Sequence, residues 1–219
     1  MKSLLAPAFV FLFAAVSLPL AAQNDSAISP TSRIDLFDGK TLSGWTFVSR
    51  DTNAPAAAIW STTNGVIRCL GKPYGYARTF QRFQDYQLHA EWRFPVAPGN
   101  SGVFLHLNSP DKVWPYCYEA QLLSGDAGEV RMNGGSKANG TTPQYPRWVP
   151  RQQASSEKPI GEWNTYDIIC RSNTITVRVN GVLQNTITGT STNAGTIGLQ
   201  AEGGLIEFRN IYLQPLSTN

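Results

Sequence analysis

The dipeptide Asn180-Gly181 constrains this chain more than any other feature, because it joins two runs in which apolar and polar residues alternate. A two-residue hairpin of type I′ needs positive φ at both central positions, which Asn and Gly supply at little steric cost. Ile175, Val177 and Val179 then share one face of a strand, and Thr174, Thr176 and Arg178 share the other. A third alternating run ends at Ser172-Asn173, so Thr165 to Thr188 reads as a meander with one wet face.

The rest of the chain follows the same pattern. Tyr86 to Phe94, Val103 to Leu107 and Tyr116 to Leu123 read as strands, punctuated by Pro95, Pro98, Gly99 and Pro110. Thr196 to Ala201 and Leu205 to Leu213 read as two more, joined across Gly203-Gly204. No helical periodicity lasts three turns, so the fold class is all-β. Gly125 to Pro159 holds Gly134, Gly135, Gly140, Pro143, Pro146 and Pro150 with little periodicity, and is expected to be one long loop. There is no internal repeat and no sign of a second domain.

The first residues carry a different message. Lys2 precedes an apolar run from Leu4 to Leu18 that ends in Pro19-Leu20-Ala21-Ala22, the layout of a secretory signal cleaved after Ala22. The run falls short of the about 20 apolar residues a membrane span needs. No Cys follows it, so no lipid attachment is expected. Residues 1–22 are therefore expected to be a signal peptide, 23–32 an unstructured lead-in, and 33–216 one domain, periplasmic or secreted and not inserted in the membrane. The roughly 197 residues left after cleavage are enough for one well-buried core.

Charge and cysteine usage remove several function classes. Lys and Arg number 18 against 15 Asp and Glu, with no basic cluster, which argues against a nucleic-acid partner. Cys69, Cys117 and Cys170 allow at most one internal disulfide and match no metal or redox spacing. Cys170 follows Ile168-Ile169 and reads as a small buried hydrophobe. HExxH, GxSxG, Walker and GxGxxG motifs are all absent, and Ser101 is a poor nucleophile. No cofactor is expected. His89 and His106 are too few for a His-rich metal site, which leaves Asp126 and Glu129 as the place where Ca²⁺ could sit.

The polar side chains of the middle strands suggest a site. His89, Glu91 and Arg93 share one face of their strand, and Glu119 and Gln121 share one face of theirs. If these strands and the one carrying His106 are neighbours, Glu91, Arg93, His106, Glu119 and Gln121 converge. Asn100-Ser101 stands at the mouth of the His106 strand, with Trp114 and Tyr116 close by in sequence. Amides suit sugar hydroxyls and flat aromatics suit sugar ring faces, so the expected partner is a glycoside or oligosaccharide. A solvated face of paired charges is the plainer alternative.

Several strings in order then resemble one family, the 3-keto-disaccharide hydrolases. They are Leu36-Phe37-Asp38-Gly39-Lys40-Thr41-Leu42-Ser43-Gly44-Trp45, Gly99-Asn100-Ser101-Gly102-Val103, Tyr118-Glu119-Ala120-Gln121, Gly161-Glu162-Trp163-Asn164-Thr165-Tyr166, Asn180-Gly181, and Gly198-Leu199-Gln200 with Phe208-Arg209-Asn210-Ile211. The resemblance runs from about Arg33 to Leu216. It implies a concanavalin-like jelly-roll β-sandwich of two antiparallel sheets, exported by bacteria, that cleaves glycosides already oxidised at C3. A C3 ketone acidifies the C2 hydrogen, so a base can form an enolate and the C1 oxygen can depart by elimination, with water adding afterwards.

Carried onto matching positions, the resemblance implies Glu119 as base or acid, with Glu91 and His106 as the other catalytic candidates. Gln121, Asn100 and Ser101 would hold hydroxyls, Arg93 would steady the oxyanion or orient Glu119, and Trp114 and Tyr116 would flank the sugar. The family often has Arg where this chain has His106. Asp38-Gly39-Lys40, Trp163-Asn164 and Phe208-Arg209-Asn210 read as structural. Two other readings compete. A conventional glycosidase would pair Glu91 with Glu119, since retaining enzymes need carboxyls about 5–5.5 Å apart. A lectin-like module would bind sugar without turnover.

Overall fold

A computed structural model describes residues 26–217. The expected signal peptide and the start of the lead-in lie outside these described residues. The described chain contains sixteen strands: β1 (Ile34–Asp35), β2 (Trp45–Ser49), β3 (Trp60–Thr63), β4 (Val66–Cys69), β5 (Gly75–Thr79), β6 (Phe83–Gln84), β7 (Tyr86–Arg93), β8 (Gly102–Asn108), β9 (Tyr116–Gln121), β10 (Val130–Asn133), β11 (Trp148–Val149), β12 (Asn164–Arg171), β13 (Thr174–Val179), β14 (Val182–Ile187), β15 (Ala194–Ala201) and β16 (Ile206–Pro215).

They form two 8-stranded sheets. The first runs β14-β13-β12-β7-β16-β4-β3 with β1 on β16, and the second runs β11-β10-β9-β8-β15-β5-β2 with β6 on β15. Every ladder between named strands is antiparallel. The core lies between the sheets, where Leu88, Trp92, Tyr166, Ile168 and Phe208 of the first meet Val103, Leu105, Tyr118, Ala120 and Leu199 of the second. The Tyr166 hydroxyl ties the sheets together: it donates to the Gln121 carbonyl and accepts from Gly128 N.

The meander forms as expected, as β12, β13 and β14, with Ser172, Asn180 and Gly181 all at positive φ. Ile175, Val177 and Val179 are buried, while Arg178 is exposed. The sequence reading fails in three places. The lead-in is not unstructured over its described part, because Ile28 bridges Phe83 of β6 and exchanges backbone hydrogen bonds with Arg82 and Gln84. The long loop contains β10 and β11, which extend the second sheet beyond β9.

The third failure decides the site: β7 belongs to the first sheet, whereas β8 and β9 belong to the second. Strands close in sequence thus present their polar faces on opposite sides of the sandwich. Cys69, Cys117 and Cys170 are all free and buried, and burial pushes the Cys170 thiol up to about 12, as suits an inert packing residue.

Candidate functional site

The outer face of the second sheet carries the site. Along β9, Tyr118 and Ala120 enter the core, so Glu119 points to the opposite face. Its register partners are Phe104 on β8 and Arg131 on β10, and Asn133 stands two pairs further along, opposite Cys117. Glu119 is 2% exposed. Asn133 Nδ2 donates to Glu119 Oε2 at 2.6 Å, while Oε1 has no protein partner.

Gly102 makes room for this carboxylate. A Cβ at Gly102 would stand 2.5 Å from Glu119 Oε1 and 2.7 Å from its Cγ. Burial pushes the Glu119 pKa up from 4.5 to about 7, and the neighbouring Glu202 adds to the rise, against the Asn133 amide and the Arg131 charge. Glu202 follows the last residue of β15 and is itself raised by burial, with Arg131, Gln200 and Asn100 opposing.

Between the two acids lies Gln200, which is 1% exposed and whose amide helps hold down the pKa of both, although neither of its atoms makes a well-aligned hydrogen bond. Asn100 donates its backbone N–H to the Gly203 carbonyl, and its side-chain oxygen is also without a partner. Buried amides normally have all their polar atoms paired inside the protein, so amides with unfilled capacity beside two carboxylates are suited to receiving hydroxyls. The other end of the same face is closed. Tyr76 and Phe104 pack edge to face at 5.5 Å, and Asp111 accepts hydrogen bonds from Tyr76 and from two nitrogens of Arg78 at 2.8–2.9 Å.

Of the expected residues, the structure places Glu119 and Asn100 at this site, with Trp114 and Tyr116 near its edge. Trp114 is 44% exposed and lines a cleft that also contains Asn133. The Tyr116 hydroxyl contacts Ser191 Oγ at 2.6 Å.

Three of the expected residues lie elsewhere, and two more use side-chain atoms in hydrogen bonds within the protein. Glu91 and Arg93 face outward from the first sheet, with the whole core between them and Glu119. Burial alone would raise the Glu91 pKa, but hydrogen bonds from Asn210 and Arg209, both at 2.6 Å, hold it below the ordinary value. Arg93 pairs with Glu207 at 2.7 Å and lies over the Trp163 ring. Packed sheets lie about 10 Å apart and both side chains point away from the core, so Glu91 and Glu119 exceed the about 9.5 Å limit for a carboxylate pair. The Glu91–Glu119 pair on which the conventional glycosidase reading rested is therefore overturned.

His106 points into the core. Leu105 and His106 together oppose Ile197 of β15, forming a β-bulge in which His106 adopts φ +50°. The extra residue reverses the alternation, so Leu107 takes the outer face and the His106 ring sits between Tyr86 and Tyr118. Burial pushes its pKa down from 6.5 to about 4, which keeps the ring neutral. Ser101 is buried and donates to the Gln200 carbonyl at 2.7 Å. Gln121 is also buried, and its side-chain oxygen accepts from Leu122 N and Leu123 N. Asp126 and Glu129, where Ca²⁺ was expected if anywhere, are bonded to Arg151 and Arg131.

A family model described as the 3-keto-alpha-glucoside-1,2-lyase-like domain matches residues 32–214. This chain belongs to that family. A 3-keto-disaccharide hydrolase of Bacteroides thetaiotaomicron is 27% identical over 176 residues, covering 71% of this chain and 59% of the relative. The chain thus spans about three fifths of that relative's length. A solved structure of a candidate glycosyl hydrolase from Parabacteroides distasonis has a TM-score of 0.64 at 18% identity, covering 85% of this chain and 94% of its own. A β-glucanase of Bacillus licheniformis has a TM-score of 0.54 at 17% identity, covering 84% of this chain and 97% of its own. At such identities the likeness concerns the fold, a concanavalin-like jelly roll.

In this lyase-like domain the sequence reading missed Arg131, Asn133, Gln200 and Glu202. Two signals were present. Val130-Arg131-Met132-Asn133 alternates within the stretch taken as loop, and Gln200 and Glu202 are two apart in a strand-like run, as residues on one face must be.

Proposed function

We propose that this protein is an exported carbohydrate-active enzyme that cleaves 3-keto-glucosides, with Glu119 as the base. The observation that supports it is the buried Glu119 carboxylate, with one oxygen held by Asn133, the other free, and a pKa of about 7. A general base works best when its pKa lies near the operating pH.

The Glu119 carboxylate takes the C2 proton, and the C–H electron pair moves into the enolate of the C3 ketone. As the ketone re-forms, the electron pair becomes the C1–C2 double bond and the C1–aglycone bond breaks. Glu202, whose carboxyl burial pushes above its ordinary pKa, gives a proton to the departing oxygen. Water then adds at C1, returning a proton to Glu202, while protonated Glu119 returns one to C2. The sum is hydrolysis. Arg131, between the two acids electrostatically, opposes the charge that builds on the enolate.

An ordinary glucoside lacks the acidic C2 hydrogen, so the reading separates two substrates sharply. Purified protein should release the aglycone from a 3-keto-glucoside and leave the unoxidised parent intact, as read by chromatography. Equal cleavage of both would overturn the reading, as would tight sugar binding without turnover of either.

A further inference from the structure

Beside Glu119 lies a cleft of about 590 Å³, in the size range of small-ligand sites. Asn133 belongs to both: it lines the cleft, and its side-chain amide holds Glu119. Asn133 pairs with Cys117, two positions along β9 from Glu119, so the cleft begins about 7 Å from the catalytic register position. A glycosidic bond placed at Glu119 would therefore put the neighbouring sugar in this cleft.

Its lining is chemically one-sided. Trp114 offers an exposed ring, and Lys137 and Arg147 are both exposed with no ion-pair partner among the described residues. No acid lines the cleft, whereas the catalytic end holds the carboxylate of the base Glu119. The field thus changes sign from one end of the site to the other, which favours a substrate that is neutral at the oxidised sugar and negative at the next.

We propose that the cleft is the leaving-group subsite and that it takes an anionic sugar, a uronic acid whose ring lies on Trp114 and whose carboxylate meets Arg147 and Lys137. Arg presents a planar fork that matches a carboxylate, and aromatic rings bind the apolar faces of sugars. This rests on the catalytic reading above for the position of the bond, and on the cleft alone for the charge.

The test compares a 3-keto-glucosyl-glucuronate with the matching 3-keto-glucosyl-glucose. Wild-type kcat/KM should favour the glucuronate about 5- to 10-fold at low salt, the preference residing in KM and shrinking as salt rises. In the Lys137→Ala/Arg147→Ala double variant the ratio should fall to near one. Equal kcat/KM in the wild type, or a double variant that preserves the ratio, would overturn the proposal. If neither keto-disaccharide is turned over, the catalytic reading fails, and calorimetry with the same two sugars decides the cleft. Tighter glucuronate binding that the double variant abolishes supports it, and equal binding overturns it.

Discussion

Replacement of Glu119 by Gln should lower kcat/KM on a 3-keto-glucoside by about 10²- to 10⁴-fold, the span assigned to a positioned general base. The same change should make the protein more stable at alkaline pH. Glu119 has a folded pKa of about 7 against an ordinary 4.5, so the fold favours its protonated form. That advantage is present below pH 4.5 and is lost as pH rises to about 7, above which the buried charge carries a full penalty. At about 1.4 kcal/mol per unit, the penalty is about 3 kcal/mol.

Gln is neutral throughout and its side-chain oxygen can still accept from Asn133. Denaturant unfolding at pH 8 should therefore show the variant more stable by about 2–3 kcal/mol, with the difference vanishing near pH 4. A variant that loses activity but gains no stability at pH 8 would contradict the account of Glu119 as a buried, strained base. The pairing of lost function with gained stability is what distinguishes an active-site carboxylate from a structural one.

The second large effect is expected at Gly102. Adding one methyl there would bring Cβ within 2.5 Å of Glu119 Oε1 and 2.7 Å of its Cγ. The backbone tolerates alanine, since Gly102 has no positive φ. The carboxylate must therefore move, and its 2.6 Å bond from Asn133 is lost or distorted. A displacement of about 1 Å at a catalytic group costs about 100-fold in rate.

Gly102→Ala should thus lower kcat by about 100-fold while the domain still folds, with a stability cost of about 1–3 kcal/mol for overpacking. Gly44→Ala is the control, because nothing lies within 4 Å of its added Cβ. Circular dichroism and the pH profile should show a folded enzyme whose base no longer titrates near 7. Full activity in Gly102→Ala would mean that the position of the Glu119 carboxylate is not critical.

How far the sequence could be read depended on whether the information was local. The β12–β14 meander was legible because alternation and the Asn180-Gly181 turn act within one hairpin. Glu119 was legible for the same reason, as a polar residue between Tyr118 and Ala120. What failed was non-local. Nothing near Glu91 says that β7 pairs with β12 and β16 rather than with β8, and that pairing sends its side chain to the far side of the sandwich.

His106 failed for a subtler reason. A single extra residue in β8 inverts the parity of every position after it, and the alternation of Val103 to Leu107 gives no sign of the bulge. Only the ladders with β9 and β15 reveal it, the latter where Gly195 permits a close approach to the His106 backbone. Arg131 and Asn133 were hidden by their surroundings. Four residues of strand between Gly128 and Gly134 look like loop until an edge of β9 is found for them.

Removal of the C2 proton is the central claim, and a 3-keto-glucoside carrying deuterium at C2 tests it most directly. The labelled substrate should be cleaved more slowly than the unlabelled one, and the 3-keto-glucose released into ordinary water should have lost deuterium from C2. Equal rates with the label fully retained would mean that the glycosidic bond breaks without Glu119 touching that proton, and would contradict the account.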